Sequence, residues 1–440
     1  MASKTHSSAG LALTGALDRL VEPPLRRNFL AFLGDYVIWG VGIAFVNPST
    51  VLPALVRQLT DSPPVIGLVE TVRSGVWFLP QLFVAWLLSG TVIRRRHMVI
   101  PFIISRSSML LIVVVLLLLA RTQPLTAAGL LLACLAFYFI MDASGSVPWF
   151  DLLSHSLPPH GRTRLMGLGQ FLSGGLGIGV GVAVAAILAD TRLPFPVNYS
   201  LLFILACSLF AVEVFVVSRV RVSRPADRRD RIPLAEFVPR LLGIFRRDLR
   251  FRRLLLVRLV VGASGLSTPF YIICALDRLG MGAASVGIFT AAQIAGGIAG
   301  APFIALLAER RGVTSVIRIG ASFALILPII AISMVTAGLS LSHDLRIAVF
   351  GLLFVLNGAM ANMTAAGFTN YMLDIAPAEQ RPTYVGFANT FNGLILFFPI
   401  VGGWILGDSS WVALFAVTAA AALVGLVGTL RMSEPRQLRR

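Results

Sequence analysis

The sequence predicts an all-α integral membrane protein, with twelve transmembrane helices arranged as two six-helix bundles related by a pseudo-two-fold axis. Of its 440 residues, 57% are hydrophobic and 13% are charged, whereas a soluble domain has about 25% charged residues. Long charge-free runs recur along the chain, and the second half repeats landmarks of the first. These observations exclude an ordinary soluble fold and favour a duplicated membrane bundle.

Charge-free runs of about 18 residues or more are typical of membrane-spanning helices. Eleven such runs occur, at 36–56, 74–93, 122–141, 165–189, 193–212, 259–276, 283–308, 319–343, 347–373, 382–407 and 409–430. A twelfth candidate, 99–120, is interrupted only by Arg106. Because a polar tail precedes the first run, we do not expect a cleaved signal sequence. The prediction is therefore twelve spans, numbered span 1 to span 12 in chain order.

The internal repeat is clearest at the connections between spans 4 and 5 and between spans 10 and 11. Four pairs share one constant offset, close to half the length of the chain: Pro158 with Pro377, Arg162 with Arg381, Gly167 with Gly386 and Gly174 with Gly393. Gly67 and Gly287 form a further pair at almost the same offset. Secondary transporters use parallel repeats related by an axis along the membrane normal. The repeat therefore predicts that each half forms one six-helix unit, with a cavity between the two units.

The charge distribution divides the chain into five segments. They are a tail at 1–28, a first bundle at 29–217, a basic linker at 218–253, a second bundle at 254–430 and a tail at 431–440. The linker holds twelve arginines. They are interpreted as fixing topology and contacting anionic headgroups, and alternatively as a regulatory segment.

The net charge of +17 has an explanation in membrane topology. The tails and the connections on the same side hold 29 of the 37 lysines and arginines. Such an excess marks the cytoplasmic side, so we expect a protein of the plasma (inner) membrane with both termini in the cytoplasm. We expect no nucleic-acid partner. The three cysteines lie within spans and have no metal-ligand spacing, and we expect no cofactor or metal.

The two matched connections read "PPHGRTRLMG" and "PAEQRPTYVG". This pattern of proline, arginine and glycine, within a chain of six plus six spans, resembles the major facilitator superfamily. The resemblance covers essentially the whole chain and implies a transporter of small solutes. The connection between spans 2 and 3, "SGTVIRRRHM", has the superfamily's basic cluster but lacks its usual aspartate.

We expect a cytoplasmic gate at the inner ends of the helices. Arg162 and Arg381 lie at matched junctions, where a cation can meet helix carbonyls or a carboxylate of the other repeat. Asp151, at the inner end of span 4, either supplies the missing carboxylate or is a helix-end charge that faces water. The predicted gate residues are Arg94, Arg95, Arg96, Asp151, Arg162, Asp374 and Arg381.

Ionisable side chains within spans are candidates for function because they are costly in a membrane. Asp35, Arg106 and Asp142 are expected at similar depths, roughly 10–14 Å from the cytoplasmic face. Two acids and one base could form a cluster in which one carboxylate takes up and releases a proton. The alternative is a static ion pair that fixes helix packing. Glu213 is expected to reach the inner interface with its carboxylate.

The spans of the second half contain amides in place of buried charge. Amides donate and accept hydrogen bonds, which suits a small polar solute, although they also act as interhelical contacts. Gln170 resembles, by its offset of eight residues from Arg162, a sugar-contacting glutamine of sugar-transporting members of the superfamily. The predicted substrate-binding residues are Trp39, Gln170, Gln293, Asn357, Thr364, Asn389 and Asn392.

The function expected from these features is secondary active transport of a small solute by alternating access, coupled to protons. No nucleotide-binding motif is present, so the driving force would be a gradient. We expect a monomer that contacts membrane lipids and is not an enzyme. The alternatives are an exporter of drug-like amphiphiles, a membrane sensor, and a lipid-handling protein or membrane enzyme that uses His155 and His160 beside Asp151.

Overall fold

A computed structural model describes residues 25–88, 93–221, 243, 245–377 and 381–435. Eleven helices of the described residues are long and apolar enough to cross a membrane: span 1, Arg26–Phe45; span 3, Arg96–Leu119; span 4, Pro124–Ser156; span 5, Pro159–Ala189; span 6, Val197–Val217; span 7, Leu249–Arg278; span 8, Ala284–Arg311; span 9, Val313–Ser340; span 10, His343–Ile375; span 11, Phe387–Asp408; and span 12, Trp411–Leu430. Span 2 is the 26-residue helix Pro63–Leu88. The predicted twelve-helix architecture is confirmed.

The repeat in the sequence is also a repeat of helix boundaries. Span 4 and span 10 each contain 33 residues, and they begin at equivalent positions of the two copies, Pro124 and His343. The short helix Val51–Leu59, which follows span 1, has its counterpart at the end of span 7. The two halves are therefore copies of one six-helix bundle.

Several helices extend beyond the charge-free runs because charged residues do not end a helix whose backbone remains hydrogen-bonded. The run at 122–141 covers only part of span 4, which continues past Asp142 and Asp151 to Ser156. Span 7 begins at Leu249, within the predicted linker. Its start is set by Asp248, whose side chain accepts hydrogen bonds from the amides of Arg250 and Phe251, as expected of an N-cap.

Spans 7 and 11 are irregular near the middle of the membrane. Span 7 contains a 3₁₀ turn at Ala263–Leu266, and the helix of span 11, which begins at Arg381, changes to a 3₁₀ turn at Gly393–Phe397. Helical structure resumes immediately after Pro269 and at Phe398–Asp408, which has Pro399 in its first turn. A proline lacks the amide donor that the previous turn would need, so it favours a helix start over a helix interior.

The molecule has two distinguishable ends. We call the end where span 1 begins and span 12 finishes the tail end, and the opposite end, which carries the short helix Val51–Leu59, the hairpin end. Four hydrogen bonds join the halves among the described residues, and they all lie between mid-membrane and the hairpin end. They pair Thr50 with Thr290 (2.6 Å), Asn47 with Gln293 (3.3 Å), Arg57 with Asp277 (2.6 Å) and Thr71 with the Leu396 carbonyl (2.6 Å).

The buried apolar clusters show the same division. On the hairpin side, one cluster contains residues of both halves, such as Leu55 and Phe289. On the tail side, each half has its own cluster, with Phe29 in the first and Phe251 in the second. Burial of apolar surface between the halves therefore stabilises contact near the hairpin end.

Two glycines of the sequence repeat make this contact possible. A Cβ on Gly67 of span 2 would lie 2.3 Å from the Pro399 carbonyl oxygen in span 11, and a Cβ on Gly287 of span 8 would lie 2.1 Å from the Ala185 amide nitrogen in span 5. Both approaches join the two halves backbone to backbone. The recurrence of these glycines at one offset thus corresponds to two symmetry-related contacts.

Candidate functional site

A cavity of about 300 Å³ lies between the halves, bounded by spans 1, 5, 8 and 10. Its apolar walls include Trp39, Ile43, Ile294 and Ile298, and glycines of spans 5, 8 and 10 supply backbone surface. The polar lining consists of Tyr36, Asn47, Gln170, Ser173, Gln293 and Asn362. A largely apolar concavity with a few polar groups is the usual form of a small-molecule site.

On the wall formed by the first half, the Tyr36 hydroxyl donates to Gln170 Oε1 at 2.8 Å. On the opposite wall, Asn362 Nδ2 donates to the Gly297 carbonyl at 2.8 Å. Each amide retains hydrogen-bonding capacity after these contacts, because a side-chain amide has two donor hydrogens and an acceptor oxygen. These groups can therefore bind hydroxyl, carbonyl or amine groups of a solute.

A chain of amides closes the cavity on its hairpin side. Asn47 Nδ2 donates to Gln293 Oε1, and Gln293 Nε2 donates to Asn357 Oδ1, both at 3.3 Å. Asn357 is 3% exposed, and its own Nδ2 has no hydrogen-bond partner among the described residues. Because Asn47 belongs to the first half and Gln293 to the second, this chain would break if the halves separated here.

Behind the cavity, within the first half, lies a buried charged cluster. Arg106 of span 3 donates through Nη1 to Asp142 of span 4 at 2.5 Å, and through Nε and Nη2 to both oxygens of Glu213 in span 6 at 2.9 and 3.0 Å. Arg106 and Asp142 are each 6% exposed, and Glu213 is 1% exposed. One guanidinium thus binds two carboxylates, one of them in a bidentate pair.

Asp35 of span 1 is the third acid of this cluster. Its Oδ2 accepts a hydrogen bond of 2.7 Å from the indole of Trp149, and its Oδ1 has no hydrogen-bond partner among the described residues. Its charged neighbours are Glu213 and Arg106. Asp35 thus lies beside a buried group in which one guanidinium binds two other carboxylates, those of Asp142 and Glu213.

Trp39 connects the cavity to the cluster. Its indole faces the cavity and donates through Nε1 to the Tyr138 hydroxyl at 3.2 Å. The ring of Tyr138 lies beside Arg106, with 5.2 Å between the guanidinium carbon and the ring centroid. A displacement of Trp39 by a solute would therefore reach Arg106 through a single intervening residue.

Comparison with known families identifies this architecture. The sequence profile of the Major Facilitator Superfamily matches residues 29–398 and 267–440. The chain belongs to the major facilitator superfamily. It is an integral membrane protein, and its fold is that of the transporters of this superfamily. A comparison of the sequence with curated proteins gave no match.

Solved structures of superfamily transporters resemble the chain over almost their full length. A bacterial homologue of the iron transporter ferroportin, in an inward-facing state, is 16% identical with a TM-score of 0.63, covering 93% of this chain and 98% of its own. The nucleoside transporter NupG is 13% identical with a TM-score of 0.61, covering 93% and 98%. A transporter of the POT family in complex with 5-aminolevulinic acid is 13% identical with a TM-score of 0.64, covering 93% and 96%. Identities this low establish the fold alone.

Three of the seven predicted substrate residues line the cavity of this superfamily member, namely Trp39, Gln170 and Gln293. Asn357 lies directly behind Gln293. Thr364 donates to backbone carbonyls of its own helix, Asn389 lies in the helix Arg381–Asn392, and both amide atoms of Asn392 are buried without a hydrogen-bond partner among the described residues. These last three do not line the cavity.

Four polar residues of the cavity, Tyr36, Asn47, Ser173 and Asn362, are absent from the set predicted from the sequence. Tyr36 follows Asp35 directly, yet Tyr36 lines the cavity while Asp35 joins the charged cluster. Glu213 was expected at the interface, and this expectation is wrong, because its carboxylate is bound by Arg106 inside the bundle. Its partner lies 107 residues away in the chain, a distance over which helix periodicity gives no signal.

The predicted gate residues lie at the tail end, where Arg95 and Asp151 have contacts near their own places in the chain. Arg95 donates to the Ser218 carbonyl at 2.5 Å, and the carboxylate of Asp151 lies 3.5 Å from His155 one turn later. Arg94 and Arg96 are exposed, and Nε of Arg162 is buried without a hydrogen-bond partner in the described chain. Asp374 lies near the end of span 10, and the side chain of Arg381 lies outside the described part.

Proposed function

We propose that this superfamily member is a secondary active transporter that moves a small polar solute by alternating access. The observation that supports this proposal is the cavity at the interface of the two halves. Hydrogen bonds join the halves on its hairpin side, whereas each half has a separate apolar cluster on its tail side. In this proposal the structure represents the state that receives or releases solute at the tail end. Rocking of the halves would break the hairpin contacts and expose the same cavity to the other side.

The polar lining favours a solute with hydroxyl, carbonyl or amine groups. The cavity is lined by amides, hydroxyls, glycines and apolar side chains, and its volume of about 300 Å³ is at the lower end of the range for small-molecule sites. A solute that replaces the contact between Tyr36 and Gln170 could bind both groups at once. Such replacement costs little, because the contact is a single neutral hydrogen bond.

The charged cluster supports coupling to protons. Asp35 is the proposed proton carrier, because it has an unpartnered oxygen and lies beside Glu213. Protonation would remove one negative charge from a group that holds three carboxylates and one guanidinium. The resulting change in the position of Arg106 would pass through Tyr138 and Trp39 to the cavity, so that proton uptake and solute binding influence each other.

The proposal extends to orientation and assembly. The basic residues of the tail end, including Arg94, Arg95 and Arg96, favour a cytoplasmic tail end in a plasma (inner) membrane. The gate residues at that end would meet across the halves in the opposite state, when the tail side closes. The predicted linker at 218–253 includes the first turn of span 7, and its residues 222–242 lie outside the described part of the chain. Two bundles joined in this way fit a monomer whose halves move against each other in contact with lipids, and which is not an enzyme.

The test is proton flux in sealed proteoliposomes that contain a pH-sensitive dye, challenged with a panel of neutral and charged solutes. The wild type is compared with Asp35→Asn, Asp142→Asn and the matched control Asp408→Asn, an exposed carboxylate at the hairpin end. We expect a solute that drives proton flux in the wild type and the control. Asp35→Asn should bind that solute while its proton flux falls to background.

Two results would contradict the proposal at different points. Equal solute-driven proton flux in wild type, Asp35→Asn and Asp142→Asn would show that the cluster does not carry the proton. Solute that binds but does not move in any of the proteins would contradict transport itself and favour a sensor.

A further inference from the structure

A membrane-spanning helix of the second half carries a guanidinium that no described residue pairs with. Arg258 lies in span 7, nine residues after Leu249, which is roughly 14 Å along the helix. Within the described part of the chain it has neither an ion-pair nor a hydrogen-bond partner, and its guanidinium carbon lies 5.8 Å from the centroid of the Phe368 ring. Arg106 in the first half, by contrast, binds two carboxylates.

The surroundings of Arg258 face the interior of the second bundle. Along span 7 it shares a side with Phe251 and Leu255, which are fully buried, whereas Leu256 on the other side is 46% exposed. Arg258 itself is half-buried, and its nitrogens are not sealed from solvent-sized groups. A charged group in this position is costly unless something compensates it.

The contact with Phe368, which is itself buried in the tail-side cluster of the second half, places Arg258 at a level between the cavity and the tail end. Phe368 lies in span 10, two helical turns beyond Ala361, which lines the cavity. Residues seven apart share a helix side, so the guanidinium is about 10 Å from the cavity level in the direction of the tail end. Ala361, Ala365 and Thr369 form an exposed line along span 10, beside the buried Phe368.

A guanidinium has five donors in a planar fork, and this geometry fits the two oxygens of a carboxylate or phosphate. It also keeps its charge under all physiological conditions. The cavity itself has a neutral lining, so Arg258 would be the positive charge that a solute meets beside it. We propose that Arg258 binds a carboxylate or phosphate group of the transported solute while the tail side is open.

This inference rests on the proposed transport function and narrows its substrate class. The amides of the cavity would hold the neutral, hydroxyl- or amine-bearing part of the solute, and Arg258 would hold its anionic end. The spacing of about 10 Å between the two places suits an organic anion of modest length. An anionic lipid headgroup carries the same phosphate chemistry, and the experiment must separate it from a free solute.

The first measurement uses inorganic phosphate and succinate as probes, with chloride at equal ionic strength as the reference. The full-length protein in phosphatidylcholine vesicles is titrated while thermal unfolding is followed, because a ligand of the folded state raises the unfolding temperature. The variants are Arg258→Gln, Arg258→Lys and the control Arg310→Gln, an exposed arginine of the same half. We expect Arg258→Gln to weaken the apparent affinity for at least one probe tenfold or more, Arg258→Lys to weaken it less, and the control to match wild type.

The possible outcomes distinguish a failure of the anion-site inference from a failure of the proposed transport function. Equal anion affinities in wild type and Arg258→Gln overturn the inference even if neutral solutes are transported. Anion binding that depends on Arg258 without transport of any solute supports the site and contradicts the proposed function. If phosphatidylglycerol vesicles stabilise wild type over Arg258→Gln, while phosphate and succinate have no effect, the residue binds lipid and the solute assignment is wrong. If Arg258→Gln does not fold, comparison of Arg258→Lys with wild type decides the same question.

Discussion

The contact between spans 5 and 8 allows the closure of the hairpin side to be tested with one methyl group. In Gly287→Ala the new Cβ would lie 2.1 Å from the Ala185 amide nitrogen and 2.4 Å from the Gly181 carbonyl oxygen. Both are backbone atoms of the other half, and no side-chain rotation can relieve the overlap. The two halves must separate locally, so the substitution should disfavour the closed hairpin side.

Overpacking by a methyl group typically costs about 1–3 kcal/mol. If that cost falls on the hairpin-closed state alone, the ratio of closed to open molecules falls by roughly 5- to 160-fold. Gly296→Ala is the matched control in the same span. Its Cβ would lie 1.9 Å from the Val355 carbonyl oxygen of span 10, within one half. It should therefore lower the stability of the second bundle without favouring either state.

The reporter is a cysteine at Thr50, which is fully buried between the halves near the hairpin end. The protein would carry Thr50→Cys with alanine at its three native cysteines, Cys134, Cys207 and Cys274. We expect a polar maleimide to label Thr50→Cys at least fivefold faster in Gly287→Ala than in the parent. Labelling in Gly296→Ala should remain at the parental rate while its unfolding temperature falls. Equal labelling of Gly287→Ala and the parent would refute the role assigned to this glycine contact.

Two further predictions concern the edge of the hairpin contact and the cavity. The hydrogen bond with Asp277 raises the pKa of Arg57, so this pair stays charged in the physiological range. Because both side chains are about one-third exposed, Asp277→Asn should increase the rate of Thr50→Cys labelling only about 1.4- to 5-fold. If the pair acts through charge, high salt should abolish the difference between the variant and the parent. Gln170→Ala removes the hydrogen-bond partner of Tyr36 and should raise the KM for the transported solute by roughly tenfold, as expected for a loss of about 1–1.5 kcal/mol, while the ratio of protons to solute stays unchanged. The control is Ser208→Ala, which removes an exposed hydroxyl bonded to its own helix. A KM of Gln170→Ala equal to that of wild type would place Gln170 outside the binding site.

The fold could be predicted from the sequence because hydrophobic length and repetition are local properties. Eleven spans follow from charge-free runs and a twelfth from a run interrupted only by Arg106, and the repeat of Gly67 and Gly287 indicates that one bundle occurs twice. The partners of polar residues are a different matter, since they depend on how the helices are rotated and placed against each other. Asp142 and Arg106 could be assigned to one cluster by depth, but depth did not identify Glu213 as the second acid that Arg106 binds.

The polar lining of the cavity was likewise only partly predictable from the sequence. Gln293 could be selected because an amide within a span suits a polar solute, and Gln170 by its offset from Arg162, yet the amide criterion also selected Asn392, which does not line the cavity. Tyr36, in the middle of span 1, and Asn47, just beyond its end, were missed because tyrosine and asparagine have many ordinary roles in helical proteins. Selection among them requires the angle at which span 1 meets spans 5 and 8.

The distribution of polar contacts over the two copies suggests how such a duplicated protein divides its tasks. Arg57 and Asp277 occupy equivalent places in the repeat, and they bind each other across the axis that relates the halves. The charged cluster has no such symmetry, because the positions at the same offset from Asp35 and Arg106 are Leu255 and Ile326. Closure of the hairpin side brings the two halves into contact, so residues at matching positions of the two copies can form the contact. In the proposed mechanism, proton binding distinguishes one state of a single bundle from another, and we infer that it therefore depends on residues that only one copy carries.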